Sequence, residues 1–264
     1  ALILIFVAPL VAYIPTPAMS GLILLVAWKL IDFKEIKHIV TTSRPETVIL
    51  GLTLAAGLLI ELDFAIYVGV IASLSVFIYE TAHPEVTVTA PVVTAQGERK
   101  FRDAAEYNQL QCPQALVIRI TGSLYFGSVE NVERDIQRIR DSRPRQKNLL
   151  LYLKSVRKLD LAAADMLIKL IRDVRAKGGE IHIVDGAQEL HRSLDRFHVT
   201  EELGEDRLHR SKGEAMTAMT RDFDRRICQG CVLDVFRECD ALREGLLPTR
   251  DDPDHPGHMF RTGW

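Results

Sequence analysis

The first 28 residues carry no charged side chain, and the first 82 carry only ten, four Lys/Arg and six Asp/Glu; the remaining 58 charges, 29 of each sign, all follow His83. A chain divided this way cannot fold into one water-soluble body, because its first third has almost no polar surface to offer water. About 20 apolar residues suffice for a helix to cross a ~30 Å hydrocarbon core, but Pro15 and Pro17 interrupt the opening run. The expected elements are the end of one span in 1–14, a tight turn at 14–17 and a second span over 18–31. The next apolar block, 47–79, is broken only by Glu61 and Asp63. As one helix it would be ~50 Å long, so it reads as a hairpin of helices over 47–60 and 64–79, with the two carboxylates at a water-exposed turn. Lys29, Lys34, Lys37 and Arg44 all fall between the second span and the hairpin. The positive-inside rule therefore puts 29–46, and everything after Glu80, in the cytoplasm. The start on Ala1, inside an apolar run with neither Met nor a basic leader, is expected of the C-terminal piece of a longer protein and not of a signal peptide.

After a connector expected over 83–97, the pattern changes to alternating strands and helices. Leu116-Val-Ile-Arg-Ile120, Leu149-Leu-Leu-Tyr-Leu153 and Ile181-His-Ile-Val184 read as buried strands. Between them, Val129, Val132, Ile136 and Ile139 form one helical stripe beginning near Ser128. A second stripe, Leu161 to Val174, is capped by Asp160 and closed by Gly178-Gly179. A short helix is expected near 188–197 and a helical stretch over 212–226. The order predicts an α/β layer, a mixed sheet with parallel β-α units and helices packed against it. The balanced charge argues against nucleic acid as a partner, since such binding wants a basic face. Four cysteines are too few for a disulfide scaffold and suit a reducing compartment.

Two stretches carry a family resemblance. Leu124-Tyr-Phe-Gly-Ser-Val-Glu130 and Val156-Arg-Lys-Leu-Asp-Leu-Ala-Ala163 resemble the STAS domain of the SulP sulfate permease family of anion transporters. Tyr13-Ile-Pro15 and Trp28-Lys-Leu-Ile-Asp32, with the short hairpin, are similar to the last four membrane spans of that family. The resemblance implies all-α membrane helices in 1–82, a linker at 83–97, a STAS domain over 98–226 and a Cys-containing, partly disordered extension over 227–264. It further implies a secondary active transporter of an inorganic anion such as sulfate or bicarbonate. That protein would sit in the plasma (inner) membrane as a homodimer, with a cytoplasmic domain for assembly and regulation. The alternative is a membrane-tethered STAS interaction module without transport. In such transporters the anion lies between two half-helices whose N-termini suit it. Those spans would lie upstream of Ala1, so no substrate ligand is expected in this chain.

The resemblance also singles out the turn at Asp160. Related bacterial regulators carry Asp-x-Ser-Gly there, with a phosphorylatable serine at the helix start. This chain has Asp160-Leu161-Ala162-Ala163, and Ala162 offers no hydroxyl, so a phosphoserine switch at that position is excluded. Asp160 is expected as a helix N-cap with a regulatory contact as the alternative; Ser128 is expected as the N-cap of the preceding helix, with nucleotide or partner binding at the edge formed with Ser123 and Tyr125 as its regulatory alternative. Cys228-Gln-Gly-Cys231 followed by Cys239 has the spacing of a metal or dithiol site, with His255, His258 or Cys112 as possible fourth ligands. Inert thiols are the plainer reading. No phosphate loop and no hydrolytic frame occurs, so no catalytic residue and no cofactor is expected. His182, alternating with Ile181 and Ile183, reads as structural.

Overall fold

A computed structural model describes residues 15–93, 99–104 and 110–247. The chain separates into two compact units, 1–77 and 78–264. The expected span over 1–14 and the tail from Pro248, with His255 and His258, lie outside the described residues.

In the first unit, helix α1 (Thr16–Leu30) starts at the Pro15–Pro17 pair, with Pro17 in its first turn where a missing N–H costs nothing. Helix α3 (Arg44–Leu59) and helix α4 (Leu62–Ala82) form the expected hairpin elements, broken at Ile60 and Glu61. Helix α4 has 21 residues, ~31 Å. It is longer than its apolar run predicts, and it alone among the described helices is both long and apolar enough to cross a membrane. Large apolar side chains stand exposed on α1 and α4, including Leu24 at 72% and Tyr67 at 67%. Only lipid or further protein can cover such a surface.

One element here was not expected. Residues 29–46 are not a plain loop but contain helix α2 (Phe33–Thr42), capped by Asp32, whose Oδ1 accepts from the N–H of Lys34 (3.0 Å) and Glu35 (3.1 Å). Phe33, Ile36 and Val40 recur at helical spacing against a face carrying Lys34, Glu35 and His38, the pattern of an amphipathic surface helix.

The second unit is built on a six-stranded mixed sheet of order β2-β1-β3-β4-β5-β6. Its strands are β1 (Glu85–Val93), β2 (Arg99–Asp103), β3 (Ala115–Leu124), β4 (Asn148–Leu159), β5 (Ile181–Val184) and β6 (Leu208–His209). The pairs from β3 to β6 are parallel, and β1 runs antiparallel to both neighbours. The expected linker over 83–97 is thus corrected. Pro84 ends α4, but Glu-Val-Thr-Val alternates as a strand and lays Val86 and Val88 against the core. Pro91 is tolerated because β1 pairs with β3 only over Glu85–Val88; beyond that it has β2 alone as a neighbour.

Both faces of the sheet are covered, which is why its central strands are continuously apolar. On one face lie α5 (Phe126–Asp141), α6 (Leu161–Ala176), α7 (Gln188–Arg196) and α8 (Val199–Leu203). They pack Val132, Ile136, Leu167 and Ile171 onto Leu116, Ile118, Leu151 and Ile183. On the other face α9 (Lys212–Thr220) and the segment through α10 (Arg225–Gln229) and α11 (Cys239–Arg243) place Met219, Phe223, Phe236 and Leu242 against Val117, Leu150 and Val184. Two expectations change here. The stretch 212–226 is two helices, because Arg221–Asp224 turns and Asp224 caps α10 anew through the Arg226 N–H (2.9 Å). Up to residue 247 the Cys-containing extension belongs to the second core.

Candidate functional site

The turns that follow β3 and β4 lie side by side because those strands are parallel neighbours, Leu124 pairing with Leu159. Each turn starts a helix, so two sets of free N–H groups point out of the same end of the sheet. Asp160 serves both. Its Oδ1 accepts from the Ala163 N–H (3.0 Å), capping α6, and its Oδ2 accepts from the Phe126 N–H (2.8 Å) in the first turn of α5. A carboxylate between two positive helix ends is electrostatically favoured there.

Ser128 takes a different place from the one expected. Helix α5 begins at Phe126 with Tyr125 as its cap residue, so Ser128 is the third helical position and is fully buried. Its hydroxyl accepts from the Tyr125 N–H (3.1 Å) and stands 3.0 Å from the carbonyls of Ser123 and Tyr125, to which it donates. This is the reaching-back half of a capping box. The sequence signal was the spacing Tyr125-x-x-Ser128, masked because Ser is a more familiar cap than Tyr. Ala162 lies in the first turn of α6, half-exposed.

The start of α5 holds the end of α4. The Tyr125 hydroxyl lies 3.2 Å from Thr81 Oγ1, and Asn131 Nδ2 donates to the Ala82 carbonyl (2.9 Å). Beside them Phe126 and Leu161 leave large apolar side chains 82% and 59% exposed, flanking Asp160. A helix end, a shared carboxylate and two exposed apolar residues therefore meet at one edge of the domain.

Three other polar groupings lie elsewhere in the second unit. On the second face, His182 Nε2 donates to Asp222 (2.8 Å) and its Nδ1 meets His209 Nε2 (2.9 Å), with the two rings stacked 5.2 Å apart. With His182 Nε2 carrying its proton toward the carboxylate, Nδ1 accepts from His209. Burial, and then the neighbouring His182, pull the His209 ring down to about 4. This chain ties β5 and β6 to the turn after α9; sequence reasoning found His182 but not its partners, which lie 27 and 40 residues away.

Lys212 borders a cleft of about 490 Å³ with Phe101, Arg102, Met216, Phe236 and Arg237. Its Nζ sits over the Tyr152 ring (4.0 Å) and the Phe101 ring (5.0 Å). Burial, then Arg119 and Lys154, draw its ammonium down to about 8.

The cysteines Cys228, Cys231 and Cys239 face a small apolar pocket, joined there by Cys112. Each is a free thiol. Burial pushes Cys112 up to about 12 and Cys228 up to about 11, and raises Cys239 as well. As they stand, each thiol is engaged with its own neighbour, and among the described residues no three His, Cys, Asp or Glu side chains are arranged to hold a metal ion.

An α/β sheet of this order, with the Asp160 turn at its helix-bearing end and apolar helices before it in the chain, is the arrangement that the comparisons with known proteins match. The STAS domain family matches residues 107–215, and the Sulfate permease family matches residues 1–53. The chain thus joins a stretch that matches the Sulfate permease family to a stretch that matches the STAS domain. It is 26% identical over 226 residues to a probable sulfate transporter of Mycobacterium tuberculosis, covering 83% of this chain and 39% of the relative. It is 23% identical over 186 residues to a putative sulfate transporter of Bacillus subtilis, covering 69% of this chain and 32% of the relative. The chain thus spans about a third to two fifths of the relatives it matches. The murine Solute Carrier 26 family member A9 anion transporter, solved in the inward-facing state, shares the fold with a TM-score of 0.59 at 18% identity, over 73% of this chain and 32% of that one.

Proposed function

We propose that this chain is the C-terminal part of a secondary active transporter of an inorganic anion, sulfate or bicarbonate. In this reading the apolar helices lie in the plasma (inner) membrane, and residues 83–264 lie in the cytoplasm, where the STAS domain serves assembly and regulation. A homodimer follows from the same reading, with the exposed Phe126 and Leu161 edge as a surface for packing against a second copy. The family supports the class of cargo. The observation that carries the role of the domain is the joint at Thr81 and Ala82: the end of α4 is bonded by Tyr125 and Asn131 to the start of α5, which Asp160 ties through Phe126 to the start of α6. A displacement of α5 therefore moves the end of that helix, which is how a domain without chemistry of its own biases transport.

The test is uptake of radiolabelled sulfate and bicarbonate into proteoliposomes holding the complete gene product, with and without residues 83–264. Saturable uptake of one anion, altered by the truncation, supports the proposal. Absence of uptake from protein shown to be folded would replace it with a membrane-tethered interaction module.

A further inference from the structure

The cleft beside Lys212 gathers positive charge that the described residues leave without a counter-ion. Arg119 of β3 and Tyr152 of β4 are register partners. The Arg119 guanidinium lies 5.6 Å from the centre of the Tyr152 ring and Lys212 Nζ 4.0 Å from it, so two cations crowd one aromatic face. Lys154, two residues further along β4, adds a third charge that opposes the Lys212 ammonium. Among the described residues Lys212 Nζ meets only the rings of Tyr152 and Phe101 and no carboxylate. Arg119 Nη2 donates to the Phe101 carbonyl (3.1 Å), but its Nε is buried with no acceptor. The other charged groups at the cleft do not restore the balance. Arg102 and Arg237 add to the excess, and the carboxylate of Glu238 is engaged by the Thr217 hydroxyl (3.0 Å). Glu214 stands exposed in the first turn of α9. A lysine packed on aromatic rings is ordinary in itself; a buried guanidinium nitrogen without an acceptor, among like charges, lacks an anion.

We infer that Lys212 is a site of reversible carbamate formation, at which carbon dioxide adds to Nζ and the carbamate is held by the cations of Arg119 and Lys154. The amine lone pair forms the N–C bond, one C=O π pair moves onto a carboxylate oxygen, and one N–H proton leaves to water. Amine and carbon dioxide thus give a carbamate anion and a proton, with no oxidant or reductant. Three like charges become two that flank one of opposite sign. The first turn of α9, where Lys212 is the first helical residue, also favours a negative group. Only the neutral amine reacts, and the same burial and like charges that draw Lys212 down to about 8 supply it. Near neutral pH ~20% of such an amine is uncharged, against ~0.1% for an ordinary lysine. The cleft, about 490 Å³, leaves carbon dioxide free access.

The experiment uses the full chain in detergent, equilibrated with ¹³C-labelled bicarbonate and dissolved carbon dioxide. Carbamate is trapped as its ethyl ester with triethyloxonium, and the labelled residue is located by mass spectrometry of the peptides. Label on Lys212 should saturate with carbon dioxide and exceed that on an exposed lysine such as Lys177 at least ~10-fold. Lys154→Gln, a change at an exposed position, should lower the occupancy of Lys212 several-fold, and Lys212→Arg should abolish the label while keeping the charge. Should Lys212→Arg fail to fold, the peptide map of the unmodified chain still decides the matter. Folded protein without label on Lys212, equal label on all lysines, or an occupancy indifferent to Lys154→Gln would each overturn the proposal. Sulfate that protects Lys212 from acylating reagents, in protein that takes up no label, would replace it with a site for a free anion.

Discussion

Asp160 is the residue whose loss should reach furthest, because one carboxylate serves two helices that are distant in sequence. In Asp160→Ala the α6 cap is lost, about 1 kcal/mol, and the Phe126 N–H loses a charge-assisted bond at an exposed position, another ~0.5–1 kcal/mol. Removing a negative charge from between two helix N-termini adds a few tenths of a kcal/mol for each. The sum is about 2 kcal/mol, which is a ~30-fold change in a local opening equilibrium. Hydrogen exchange of the full chain in detergent reads this directly, because amides of the first turns exchange through local opening. Both turns should lose protection together, Phe126 in α5 and Ala163 in α6. Asp160→Asn keeps one acceptor oxygen without the charge and should cost about half as much, ~1 kcal/mol. If Asp160→Ala speeds exchange only around Ala163 and leaves the start of α5 as before, the carboxylate is an ordinary cap and the argument for a joint between the turns fails.

Three further outcomes follow from the geometry. A Cβ on Gly179 would lie 2.0 Å from the Lys147 carbonyl oxygen, backbone that cannot move aside, so Gly179→Ala should cost about 3 kcal/mol in denaturant unfolding. Gly178→Ala, with φ +75° but open space around it, should cost only about 1 kcal/mol; equal losses would show that the close approach is not what matters. Folded His209 takes its proton near 4 and an unfolded histidine near 6.5, so the unfolded chain holds more protons between these values. Its contribution is complete above about 6.5 and is lost as pH falls toward 4, although the nearby carboxylates of Glu214, Asp206 and Asp185 oppose part of the shift. His209→Gln should therefore flatten the fall in unfolding midpoint over that window, and a parallel fall in both proteins would contradict this. Ala162→Ser adds a hydroxyl at a half-exposed position and should change stability by less than ~0.5 kcal/mol; a larger loss would mean the turn is packed more tightly than its exposure shows.

What the sequence made legible depends on local pattern. The uncharged opening, the strand at Ile181–Val184, the apolar stripe of α6 and its Asp160 cap all follow from neighbours within a turn or two. Strand β1 was hidden because prolines at both ends outweighed the Val86–Val88 alternation, and their tolerance depends on which strand lies alongside. Helix α2 had a readable stripe, overshadowed by basic residues that mark a membrane boundary. The features closest to function are non-local. Asp160 reaches Phe126 across 34 residues and Asn131 reaches Ala82 across 49. No spacing rule links such pairs; what links them is the parallel register of β3 and β4, which sets their two turns side by side, and the antiparallel entry of β1, which brings the end of α4 back to them. Joint and thiol pocket therefore both depend on the sheet order. In the thiol pocket Cys112 meets the C-terminal cysteines because β3 lies centrally, with the α9–α11 layer across its second face. A substitution that disturbed the β3–β4 register would be expected to loosen the Asp160 joint first, since that pairing runs to Leu124 and Leu159 at the very start of both turns.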